Sequence, residues 1–337
     1  MARIQTTVVG SYPVPDWLRV VPTERGLKDA VMVVYKTQEL AGIDVVSDGE
    51  LSRFDVNHPE TNGMIEYFVT PLDGVKTVFS RAEIEAFRRR EGMSYRTKPA
   101  AVVTGPIGEG RLNLPADWEF VKGLTTKRKK FTLTGPHMLS KVLDDAYYGD
   151  LPSLAMAIAE VLKRQVESID ADVVQIDEAN ISGHPEEWEW AAAAINHVLS
   201  GVRGERAVHV CFGNYGGQSV QRGTWQALLG FLNALHVDHL VLEFARRGYD
   251  ELDVLGELDP RIGVGLGVVD IKDNEVESAD LIAQRLERAV STLGEDRVRY
   301  IHPDCGFWML QRSVADLKMR ALVEGRDLFE GRAVKTG

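Results

Sequence analysis

Short β-branched runs recur along this chain with helical patterns between them, and no other feature restricts the fold as much. The runs fall at residues 6–9, 45–47, 101–104, 131–134, 173–176, 207–210, 239–242, 262–266 and 299–302. Residues 27–41, 151–169, 223–235 and 280–293 carry apolar side chains at helical spacing. Strands that alternate with helices imply a parallel sheet. Roughly eight such units in a chain of 337 residues favour an α/β fold, a single closed (β/α)8 TIM barrel, over an open sheet. Nine runs compete for eight places. Residues 101–104 fit least well, because 51–96 before them are irregular and rich in charge and aromatics. The expected organisation is one barrel domain over 1–337, with an irregular excursion around 51–100 and a surface tail from Asp327.

Composition narrows the partners. Hydrophobic residues make up 44% and charged residues 26%, which suits a water-soluble globular chain able to bury a large core without disulfides. A net charge of −11 argues against nonspecific nucleic-acid binding. The one basic cluster, Lys127-Arg128-Lys129-Lys130, reads as a solvated turn before a strand. No run approaches the ~18 apolar residues of a membrane span. The opening residues turn polar at once, unlike a signal peptide. With only two cysteines, a cytoplasmic protein is expected.

Those two cysteines stand at strand ends. His209 precedes Cys211 by two residues, so on a strand both point the same way. Cys305 closes another strand-like run, and Glu243 ends the run at 239–242. Alone, each cysteine reads equally well as a small buried hydrophobe. A carboxylate facing a barrel interior, however, needs a cation. Together His209, Cys211, Glu243 and Cys305 offer N, S, O and S donors, a set that suits tetrahedral Zn2+ better than magnesium or calcium. Barrel enzymes build their sites at the C-terminal strand ends, and Gly10-Ser11, Asp48-Gly49-Glu50, Gln175-Ile176-Asp177-Glu178 and Asp270-Ile271-Lys272 lie there too. Glu50 and Asp177 can bind a substrate ammonium or pair with a nearby Arg or Lys. Asp48 and Glu178 alternate with them and suit packing or hydrogen bonding. The glycine-rich segment 213–219 lacks the dinucleotide pattern and reads as a loop beside the metal.

Gly10-Ser11-Tyr12-Pro13, Asp48-Gly49-Glu50, Met64-Ile65-Glu66-Tyr67-Phe68, Gln175-Ile176-Asp177-Glu178, His209-x-Cys211, Glu243 and Pro303-Asp304-Cys305-Gly306 resemble, in order, the catalytic barrel of cobalamin-independent methionine synthase. The resemblance implies a zinc-dependent methyltransferase acting on the thiol of homocysteine. It implies zinc ligation by His209, Cys211, Glu243 and Cys305, and binding of the amino-acid end by Gly10, Ser11, Glu50 and Asp177. Asp177 and Lys272 are the candidate catalytic side chains. The chain is similar to a core-only member without the long N-terminal half of the folate-dependent enzymes. Val142 stands where those enzymes carry a folate-stacking tryptophan, and Lys272 where they carry a proton-transfer histidine. Lys272 reads equally as a binder of an anionic group or as an exposed loop residue. Both departures point away from simple methyl-tetrahydrofolate, toward a methyl-carrier protein such as a methylated corrinoid protein. Other readings are a thiol alkyltransferase of the epoxyalkane–coenzyme M type, a metal-free decarboxylase of the uroporphyrinogen type, or a zinc-stabilised binding protein.

Overall fold

A computed structural model describes residues 3–58, 63–90, 96–214, 219 and 221–331. Eight strands form one sheet: β1 (Gln5–Thr6), β2 (Val45–Ser47), β3 (Arg128–Thr134), β4 (Val173–Glu178), β5 (Glu205–Val210), β6 (His239–Leu242), β7 (Gly263–Val269) and β8 (Val298–Pro303). Every pairing is parallel, each strand lying beside its successor from β2 to β8, with β8 against β1. A bridge between Thr7 and Val45 joins β1 to β2 and closes the ring. The fold is an α/β TIM barrel.

The ninth candidate run lies outside it. Val102–Gly108 pairs antiparallel with Asp73–Lys76 and parallel with Asp144–Asp145 in a separate three-stranded sheet. Its side chains are only partly buried beyond Val103, unlike the barrel strands. The connection from β2 to β3 also carries the helices Glu66–Val69, Arg81–Arg88 and Leu114–Lys122. Parts of the expected excursion, residues 59–62 and 91–95, lie outside the described residues, as does the last stretch of the tail, 332–337.

Outer helices begin where a side chain satisfies their free amides. Thr23, Asp150, Thr224 and Ser278 each accept from the backbone N–H three residues on, a cap worth about 1 kcal/mol. The Thr23 cap starts its helix at Glu24, three residues before the apolar periodicity becomes visible. Between β6 and β7 the connection holds a 3-10 helix, Leu252–Glu257.

Two apolar regions form. The larger lies between sheet and helices; the smaller, Val9, Val45, Val173, Ala207, Val241 and Tyr300, fills the barrel interior. The basic run departs from the solvated turn expected of it. β3 begins at Arg128, and Lys130 is only 2% exposed. Strand alternation sends Phe131 and Leu133 to one face and Lys130, Thr132 and Thr134 to the other. Lys130 is tolerated inside because its ammonium donates to the Val8 carbonyl and to Gln175 Oε1, both at 2.7 Å.

Candidate active site

Register brings the soft donors together. His209, next to last in β5, lies beside Asp177 of β4 on one side and Val241 of β6 on the other. Cys211 follows two residues later on the same face, and Cys305 follows β8. Donor atoms of His209, Cys211 and Cys305 lie within 4.8 Å of one another. His209 Nδ1 donates to the Val241 carbonyl at 3.0 Å, so Nε2 carries the ring's lone pair. That Nε2 is buried with no nitrogen or oxygen hydrogen-bond partner. An imidazole oriented through its other nitrogen, with Nε2 facing only sulfur, fits a metal. The sulfurs are tightly linked: hydrogen bonding from Cys211, and His209 nearby, hold Cys305 well below the ordinary thiol range, while Cys211 is pushed up.

Glu243 stands behind this cluster. Its Oε1 receives Lys272 Nζ at 3.0 Å and its Oε2 the Phe212 N–H at 3.0 Å. Lys272 also donates to Ser219 Oγ at 2.9 Å. The lysine is therefore not an exposed loop residue, and its charge is already paired with Glu243. Asp304 orients the segment after Glu243, accepting the N–H groups of Phe244, Ala245 and Arg246 at 2.7–2.9 Å. The loop expected beside the metal, 213–219, is described only at Gly213, Asn214 and Ser219; residues 215–218 lie outside the described residues.

Ser11, Glu50, Asp177, His209, Cys211 and Cys305 share one cavity of about 1100 Å³. Glu50 has φ of 58°, the one positive φ of a non-glycine residue among those described, and such strain costs on the order of 1–3 kcal/mol. Its carboxylate accepts from Thr132 Oγ1 at 2.7 Å and meets Arg53 at 3.1 Å. Gly10 makes room for it, since a Cβ there would sit 2.0 Å from Glu50 Oε1. Gly306 likewise makes room for the Ser11 hydroxyl, at 1.9 Å from such a Cβ. Asp177 accepts from Gln175 Nε2 at 2.7 Å. Burial, and then the charge of Glu50, push the Asp177 carboxyl up to about 7. Glu178 instead takes His137 and three backbone N–H groups, and Asp48 takes the Glu50 N–H. Farther out the cavity is lined by Phe54, Tyr67, Val142 and Trp308.

Sequence reasoning gave no site role to Arg53, Thr132, Lys130 or Gln175. A signal existed for three of them: Lys130 and Thr132 alternate with Phe131 and Leu133, and Gln175 is two residues before Asp177, hence on its face.

Residues 4–326 match the family described as Cobalamin-independent synthase, Catalytic domain. The chain belongs to the cobalamin-independent methionine synthase family. Relatives within the family include the methionine synthase of Pyrococcus furiosus, 31% identical over 95% of this chain and 91% of its own length. The methionine synthase of Sulfolobus acidocaldarius is 30% identical over 99% and 94%. Among solved structures, a B12-independent methionine synthase from Shewanella sp. W3-18-1, in complex with selenomethionine, shares the fold with a TM-score of 0.82. It is 24% identical and covers 98% of both chains. No helix among the described residues is long and apolar enough to cross a membrane.

Proposed function

We propose that this protein transfers a methyl group to the thiol of homocysteine, giving methionine, with zinc held by His209, Cys211 and Cys305 and with Glu243 beside them. One observation carries the reading. Asp177 and His209 are register partners on adjacent strands, so an acid pair and a soft donor cluster open into one cavity. That short span suits an amino thiol whose ammonium meets Glu50 and Asp177 while its sulfur meets the cluster. Two thiols and an imidazole whose Nε2 has no nitrogen or oxygen partner suit zinc.

Zinc, when bound, supplies the acidity that strips the substrate thiol of its proton at neutral pH, where a free thiol with pKa about 8.5 is mostly protonated. The chain's own residues do the rest. Ser11 and Gly306 pack against each other at the amino-acid end. Glu50, fixed by Thr132 and Arg53, and Asp177, fixed by Gln175, take the ammonium. Lys272 acts on the centre through Glu243. The thiolate's electron pair forms the S–CH3 bond as the donor–CH3 bond breaks with its pair left on the donor, and the thiol proton leaves to solvent.

The donor is other than simple folate. Val142, where the resemblance places a folate-stacking tryptophan, is buried in the cavity wall and offers no ring at that position, and Lys272, where it places a proton-transfer histidine, is paired with Glu243. A methylated corrinoid protein meets these conditions. The acid pair weighs against a sulfonate thiol such as coenzyme M, which has no ammonium to offer.

The test is metal analysis of the purified protein, then homocysteine titration with proton release and methionine formation followed for each donor. Stoichiometric zinc and one proton released per site are expected. Native protein without zinc, or zinc that survives loss of both cysteines, would overturn the reading.

A further inference from the structure

We infer that Lys130 is a positioning residue for the substrate's amino group, acting through Gln175 to hold Asp177 in its receiving orientation. The inference rests on the amino-thiol reading above and adds to it a residue that does not line the cavity.

The argument is one of donors and acceptors. Lys130 Nζ lies 2.7 Å from one end of the Gln175 amide and 2.7 Å from the Val8 carbonyl. An ammonium has three donors and no acceptor, so the amide atom facing it is the oxygen. The amide nitrogen then faces Asp177 Oδ1 at 2.7 Å and the Val9 carbonyl at 3.0 Å, both acceptors. A flipped amide would set its NH2 against the ammonium and its oxygen against two oxygens. Both side chains are shut away, Lys130 at 2% and Gln175 at 0% exposure, so water cannot satisfy a wrong arrangement.

Lys130 therefore settles which way Gln175 points, and Gln175 settles how Asp177 is held. With Oδ1 committed to the amide, the rest of the carboxylate remains for the cavity, where Asp177 lines the wall near Glu50. Lys130 donates to carbonyl-type oxygens; burial pushes its ammonium down to about 7, and Asp177, Glu205 and Glu50 offset that fall only in part.

Calorimetric titration of the zinc-loaded protein distinguishes this role from a merely structural one. The two probes are L-homocysteine and 4-mercaptobutanoate, which keeps the thiol and carboxylate and lacks the amine. In Lys130→Met and Gln175→Glu, homocysteine affinity falls by about tenfold or more, the loss of a charge-assisted contact, while mercaptobutanoate changes by less than about twofold. Zinc content is measured on the same samples. Equal weakening of both thiols, or of neither, overturns the inference. If Lys130→Met does not fold, Gln175→Glu decides alone, because it keeps an acceptor beside the lysine and replaces the amide donor with a carboxylate that repels Asp177. Wild-type protein that binds the two thiols equally would instead sink the amino-thiol reading itself.

Discussion

Glu243 and Lys272 meet at 3.0 Å with side chains 0% and 2% exposed, an ion pair almost sealed from water at the edge of the sulfur cluster. Removing one member of such a pair strands the other. Lys272→Met should therefore cost about 3–5 kcal/mol in the zinc-free protein, read by urea unfolding. Zinc saturation should recover part of that loss, because the released carboxylate can turn to the metal. An equal loss with and without zinc would show that Glu243 does not reach the ion.

Zinc retention should rank the donors. His209, Cys211 and Cys305 form the compact cluster, whereas both oxygens of Glu243 already have partners. Cys305→Ser is expected to empty the site on dialysis, and Glu243→Gln to weaken it far less. Chelation should leave the far-ultraviolet circular dichroism of the native protein unchanged, since the barrel interior and outer core are built without the metal. Unfolding on chelation would make the metal structural.

The close approach at Gly10 can be tested by a single methyl. Gly10→Ala places a Cβ 2.0 Å from Glu50 Oε1 and displaces the carboxylate. A displacement near 1 Å at a binding group costs on the order of 100-fold, so KM for homocysteine should rise steeply while zinc content holds. An unchanged KM would remove Glu50 from the substrate site.

Alkaline stability should depend on His137. Its ring is fully buried between Glu178 at 3.0 Å and Glu187 at 2.8 Å. Burial opposes its charge, but the two carboxylates outweigh burial and raise it to about 9. A raised histidine stabilises fully below its unfolded value of about 6.5 and loses that contribution as pH climbs through 9. The shift corresponds to on the order of 3 kcal/mol. Unfolding free energy should fall between pH 6.5 and 9 in the native protein and stay flatter in His137→Gln. Parallel slopes would assign the alkaline loss to other groups.

Legibility in the sequence followed the range of the interaction. The alternation of runs was enough for the barrel and marked residues 101–104 as the odd strand, because helix and strand periods are local properties. His209 and Cys211 were visible as same-face neighbours for the same reason. Capping extended the first long helix to Glu24, a signal available at Thr23 but hidden beneath the apolar pattern.

What the chain alone determined was therefore the eight-stranded fold, the faces of its strands and the kinds of donor at their ends. Closure of the ring decided the rest. Only when β8 packs beside β1 and β7 does Cys305 come within reach of His209 and Cys211. Tertiary structure likewise gave Lys130 its partners Val8 and Gln175, gave Lys272 to Glu243 and gave Arg53 to Glu50. A charge is buried or solvated according to the partners it finds, and apart from Arg53, three residues from Glu50, these partners lie on other strands and loops, beyond any local pattern.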